Sequence, residues 1–251
     1  MVFSRPGEAA ANEASTAASS AAIEACRARA GLFSLLGRCL EAEVDRDLLD
    51  LFRSSLAACL REAGVHLGSD FARAPAEHLL HDLAEEFTGL FVAPGAVAPY
   101  ASVFETGCMF QEPCTRALRA YREAGWDYQR RHSGEFADHV GTMLAFVGRL
   151  AEAEAQALER GAGDEAAAWC ERRERFVLDQ LGPWAPGWCR RARIHARHDF
   201  YRAALDLAER VLWDELEALA DRRELKELVR LNQREPVRLD YDADFRKASG
   251  L

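Results

Sequence analysis

From Ala21 to Ala220 the apolar residues of this 251-residue chain recur at helical spacing almost without a break. No stretch alternates apolar and polar residues as a half-buried strand would. Ile23, Cys26, Ala30, Phe33, Leu36 and Leu40 fall on one helical stripe, and Leu48, Leu51, Phe52, Leu56, Cys59 and Leu60 on the next. After a connection over Gly64–Ala74, Pro75 opens a helix where its missing N–H costs nothing, and Leu79, Leu80, Leu83, Phe87, Leu90 and Phe91 follow. Pro94-Gly95 stops that helix, and Pro99 keeps the next residues from rejoining one. Ser102 with Glu105 fits a capping box, and Pro113 starts a helix that reaches Ala124. The strongest amphipathic stripe runs from Phe136 to Leu158 through Val140, Met143, Leu144, Val147, Leu150 and Ala151. Asp164–Leu181 and Phe200–Ala220 are two further helices, separated by the turn Gly182–Trp188. Consecutive helices, short connections and no repeat predict a single all-α domain.

Domain limits follow from composition. Residues 1–18, rich in Ala and Ser, read as a disordered tail, 19–220 as the helical domain and 221–251 as a charged extension. The first twenty residues have neither a basic start nor a continuous apolar run, so they do not read as a secretory signal. No window approaches the ~18 apolar residues of a membrane span. A net charge of −9 argues against nucleic acid, which needs concentrated Lys and Arg, and suits a cationic partner. The seven cysteines are scattered and include no C-x-x-C pair, so they read as reduced, mostly buried thiols of a cytoplasmic protein.

Two segments carry polar groups in unusual company. Glu135, Asp138 and His139 stand at the start of the long helix. On a helix Glu135 and His139 share a face, whereas Asp138 and His139 point about 100° apart and do not form a ready dyad. An acidic first turn favoured by the helix dipole, with an ordinary histidine, accounts for these residues; so does a polar cluster holding a cationic group. Some thirty residues before them, Phe87, Leu90 and Phe91 lead into Pro99-Tyr100-Ala101-Ser102. Core packing explains Leu90 and Phe91, while Tyr100, an aromatic with a polar tip in a Pro-rich loop, suits ligand contact.

Order and spacing of these segments resemble the TorD/DmsD/NarJ family of redox-enzyme maturation chaperones. Its E-P-x-D-H motif is similar to Glu135-Phe136-Ala137-Asp138-His139, with Phe136 in place of the proline. Its aromatic-x-x-Leu-Phe run, Pro/Gly loop and Pro-aromatic-x-Ser are matched by Phe87, Leu90, Phe91, Pro99, Tyr100 and Ser102. Pro183-Trp184 and His198–Ala203 resemble a further turn and helix start, which read as structural. The resemblance runs from Glu24 to Ala220 and is closest to the TorD/DmsD group. It implies the TorD-like all-helical fold and a cytoplasmic chaperone without catalytic residues, metal or cofactor of its own. The implied partner is the apo catalytic subunit of a molybdopterin oxidoreductase. Its N-terminal twin-arginine signal peptide would bind at Glu135, Asp138, His139, Phe87, Leu90, Phe91, Pro99, Tyr100 and Ser102 while cofactor is inserted before export. A NarJ-like chaperone for a non-exported subunit is the neighbouring alternative, and the chain as monomer or domain-swapped dimer stays open. A different class, a helical metal protein or enzyme, would use Glu135, His139 and another histidine. His78/His81 and His195/His198 are i,i+3 pairs, but the paired Glu-x-x-His motifs of a di-metal bundle are absent.

Overall fold

The computed structural model describes residues 6–93, 96–129 and 136–237, with side chains from Ala18 onward. Among these residues the periodic pattern becomes twelve helices and no strand: α1 (Pro6–Glu41), α2 (Arg46–Arg53), α3 (Ala57–Glu62), α4 (Ser69–Arg73), α5 (Ala76–Phe87), α6 (Ala101–Thr106), α7 (Glu112–Glu123), α8 (Val140–Glu159), α9 (Gly163–Phe176), α10 (Ala185–His195), α11 (Asp199–Leu219) and α12 (Arg222–Asn232). α5 and α9 each continue into a π-helical turn, Thr88–Val92 and Val177–Leu181. The all-α expectation holds.

The frame is the pairing of α1 with α8, the most extensive helix contact in the molecule. Three glycines permit it. A Cβ on Gly37 would stand 2.8 Å from the Gly141 carbonyl oxygen, one on Gly141 2.7 Å from the Glu41 amide nitrogen, and one on Gly148 2.9 Å from the Ala30 carbonyl oxygen. Backbone thus meets backbone along this crossing, and no larger residue fits. α9 and α11 close over the pair, and a buried polar group sits among the four helices. Arg173, 4% exposed, bonds Glu154 at 3.1 Å and Glu215 at 3.2 Å, and Arg29 of α1 bonds the other oxygen of Glu215 at 2.6 Å. Charges buried together and hydrogen-bonded avoid the large cost of burying either alone.

Both ends of the chain depart from the expected boundaries. α1 begins at Pro6, inside the stretch read as a tail; its alanines are the strongest helix formers and proline suits a first helical position. Within the charged extension, Asp221 caps α12 with a full capping box, and α12 docks on α10. Asn232, 1% exposed, accepts from the Gly187 amide at 2.7 Å and donates to the Gly182 carbonyl at 2.7 Å. The seven cysteines are unpaired, and four are buried. Burial pushes the Cys39 thiol up to about 12, so it is an inert core group.

Candidate functional site

The two segments singled out in the sequence meet. Pro99 and Tyr100 run extended beside Asp138 and His139: Val140 donates its amide to the Pro99 carbonyl (2.8 Å), and Ala101 donates to the Asp138 carbonyl (3.1 Å). Tyr100 and His139 face each other as one isolated antiparallel bridge. Two loops, each just before a helix, are therefore clasped by backbone hydrogen bonds. The long helix begins at Val140 rather than Phe136, because Phe136–His139 is folded into a turn closed by the His139 amide on the Phe136 carbonyl at 3.0 Å.

Asp138 is the pin of this clasp. It is 1% exposed, and its Oδ2 accepts from the Ser102 amide at 2.8 Å. That amide lies in the first turn of α6, where backbone donors have no partner within their own helix. A side chain thirty-six residues away thus does the work of a cap. The expected Ser102/Glu105 capping box is corrected here. α6 starts at Ala101, Ser102 Oγ accepts from the Gln111 amide at 3.3 Å, and Glu105 pairs with Arg116. The Cys114 thiol also donates to the Asp138 carboxylate; burial first, and that negative neighbour second, push the thiol above its ordinary range. From below, the Tyr121 hydroxyl donates to the Ala137 carbonyl at 2.6 Å. Among the described residues the Asp138 carboxylate meets hydrogen-bond donors, the Ser102 amide and the Cys114 thiol, and no Lys or Arg pairs with it.

His139 is the N-cap of α8. Its Nδ1 accepts from the Gly141 amide at 3.1 Å, which places the proton of the neutral ring on Nε2. Its ring meets Tyr100 edge-on at 5.1 Å, Tyr100 meets Phe136 at 5.7 Å, and Phe136 meets Phe110 at 4.0 Å. Phe110 is a member that sequence reasoning missed. It is 62% exposed with φ of 60°, a left-handed conformation that costs a bulky residue free energy. The available signal was an aromatic among the apolar residues of the short loop after Gly107. Glu135 lies outside the described residues.

Phe87, Leu90 and Phe91 stand elsewhere. They are 5–7% exposed and form the core behind the loop, Phe91 packing on Trp188 (5.7 Å) and Tyr201 (6.0 Å). The π-helical turn that carries Leu90 and Phe91 turns both inward, so they do not join Tyr100 on a surface. Trp188 links the two zones by donating its indole N–H to the Ala98 carbonyl at 3.0 Å. Glu86, buried and unremarked in the sequence, accepts from the amides of Arg197 and His198 and fixes the start of α11. Among the described residues, no three or more His, Cys, Asp or Glu gather as metal ligands, and no helix is long and apolar enough to cross a membrane.

A sequence profile described as nitrate reductase delta subunit matches residues 47–190, more than half of the chain and both halves of the clasp. The chain is also similar to the chaperone protein TorD of Photobacterium profundum, with 28% identity over 130 residues. That stretch is 50% of this chain and 58% of the relative, so the chain spans little more than half the relative's length.

Proposed function

The chain belongs to the TorD/DmsD/NarJ family, which includes the nitrate reductase delta subunit, and from that premise we propose that it is a cytoplasmic maturation chaperone. Its client is the apo catalytic subunit of a molybdopterin oxidoreductase. It binds the N-terminal twin-arginine segment of that precursor and holds it back from export until the cofactor is inserted. This is binding and not catalysis.

The observation that carries the reading is the carboxylate of Asp138, buried at the Tyr100–His139 bridge and without a lysine or arginine partner among the described residues. A charge in a low-dielectric setting acts over a longer range than one in water. A guanidinium arriving at the half-buried Tyr100, behind which the His139 ring is buried, would meet that potential and one ring suited to stack with it. Glu135, by its place in the motif, is assigned to the same arginines. The exposed ring of Phe110, with Phe136 and Tyr100, offers apolar contact to the segment after the arginines. Phe87, Leu90, Phe91, Pro99 and Ser102 serve by holding the clasp in shape.

The test is binding of a synthetic twin-arginine leader, followed by fluorescence anisotropy. Asp138→Asn keeps an acceptor for the Ser102 amide and removes the charge, so it separates attraction from positioning. Affinity should fall at least tenfold, and a leader with both arginines replaced by glutamine should not sense the substitution. Equal loss for both leaders, or none, would sink the assignment. Because the matched profile is that of the nitrate reductase delta subunit, a second reading is assembly of a subunit that is not exported. Capture of a molybdoenzyme subunit without a leader from the native host would favour it.

A further inference from the structure

On the side of the domain formed by α7 and α9, a cavity of about 210 Å³ is walled by Arg116 and Arg119 of α7 and by Arg172 and Arg175 of α9, with Phe146 and Phe176 at its base. Binding sites for small molecules usually enclose about 300–1,000 Å³, so this cavity suits a side chain or two better than a cofactor. Arg116 is engaged by Glu105 and Glu112, and Arg175 by Glu171. Arg172 lies over the Trp169 ring at 4.8 Å, and Arg119 has no hydrogen bond or ion pair with any described residue. Two exposed guanidiniums therefore line the cleft with no ion pair to a carboxylate among the described residues, in a chain of net charge −9.

We propose that this cleft is a docking site for an acidic and aromatic peptide segment, and that its occupant is the chain's own Leu239–Phe245. Two observations choose that occupant. The sequence Leu239-Asp240-Tyr241-Asp242-Ala243-Asp244-Phe245 alternates apolar residues with three aspartates. Laid extended, it turns Tyr241 and Phe245 to one side and the carboxylates to the other. The second is where the described chain ends. The Val237 amide donates to the Phe104 carbonyl at 3.2 Å, and the next residue in α6, Glu105, pairs with Arg116 on the cleft wall. Four extended residues reach about 13 Å, and the cleft wall at Arg116 is one ion pair away from the residue after Phe104. Glu123 and Asp179 also line the cleft, and the acidic stretch is followed in sequence by Arg246 and Lys247, of the opposite charge.

A photo-crosslinker placed at Tyr241 of the full chain tests this, with the site of attachment found by mass spectrometry. Attachment should fall within residues 116–124 or 172–180 of the same chain. The double reversal Arg119→Glu with Arg172→Glu should reduce that yield at least fivefold, and changing Asp240, Asp242 and Asp244 to lysine in that background should restore it. Both arginines are exposed, and an unchanged urea midpoint will show that the fold is kept. Attachment elsewhere, a yield indifferent to the reversal, or attachment between differently isotope-labelled copies would each overturn the proposal. None of these readouts uses a client, so the outcome is independent of the chaperone reading.

Discussion

Glu154 and Asp138 are both buried carboxylates, one answered by an arginine between helices and the other by one backbone amide and a thiol. Glu154 meets Arg173 inside the four-helix packing of α1, α8, α9 and α11, where charge is balanced and every neighbour sits on a rigid element. Asp138 joins two loops through the Ser102 amide, the Cys114 thiol and its own carbonyl on Ala101, and no lysine or arginine among the described residues balances its charge. The first arrangement leaves nothing for a partner to add. The second completes the geometry of the backbone without a lysine or arginine among the described residues, beside the half-buried ring of Tyr100. The difference separates what holds this molecule together from what it can offer to another.

Breaking the balanced pair should have the largest effect. Arg173→Met leaves Glu154 charged and buried and should cost about 3–5 kcal/mol, whereas Arg173→Met with Glu154→Met should recover most of that loss. Urea denaturation of the single and double variants reads the difference; an equally unstable double variant would show that packing, not charge, is at stake. Next comes the α1–α8 crossing that supports both regions. Gly141→Val drives a side chain into the Glu41 backbone and should cost about 3 kcal/mol, with a lowered thermal midpoint as the measure. At the clasp, Asp138→Ala orphans the Ser102 amide and should cost about 1–3 kcal/mol, with hydrogen exchange accelerating at Ser102 before the α8 core is affected. Smallest in stability is Phe110. Phe110→Gly relieves a left-handed residue and should leave stability unchanged or raise it by about 1 kcal/mol, while leader affinity drops severalfold. A stable variant with full affinity would remove Phe110 from the interface.

Helical periodicity made the frame legible because burial itself writes the pattern: the Val140, Met143, Leu144, Val147 and Leu150 stripe is the buried face of α8. The same logic misled at Phe87, Leu90 and Phe91. An apolar helix end reads alike whether it lines a groove or fills a core, and only the positions of Trp188 and Tyr201 decide. Asp138 could be picked out by its motif, yet its capping of α6 depends on a contact across thirty-six residues that no local rule contains. Phe110 was silent for a related reason, since a φ of 60° is imposed on phenylalanine by the loop and not encoded by its own preference.

The keying of Asn232 between Gly187 and Gly182 bears on where the chain can be cut. No side chain fits at Gly187, because a Cβ there would stand 2.4 Å from the Asn232 carbonyl oxygen. A protein ending at Ala220 would keep every element of the clasp but would lose α12, opening the Gly187 amide and the Gly182 carbonyl beside Trp184 and Trp188. Since Trp188 also anchors the loop ahead of Tyr100, shortening the chain at one face would loosen the clasp at another. The packed structure therefore runs on through α12 to Asn232.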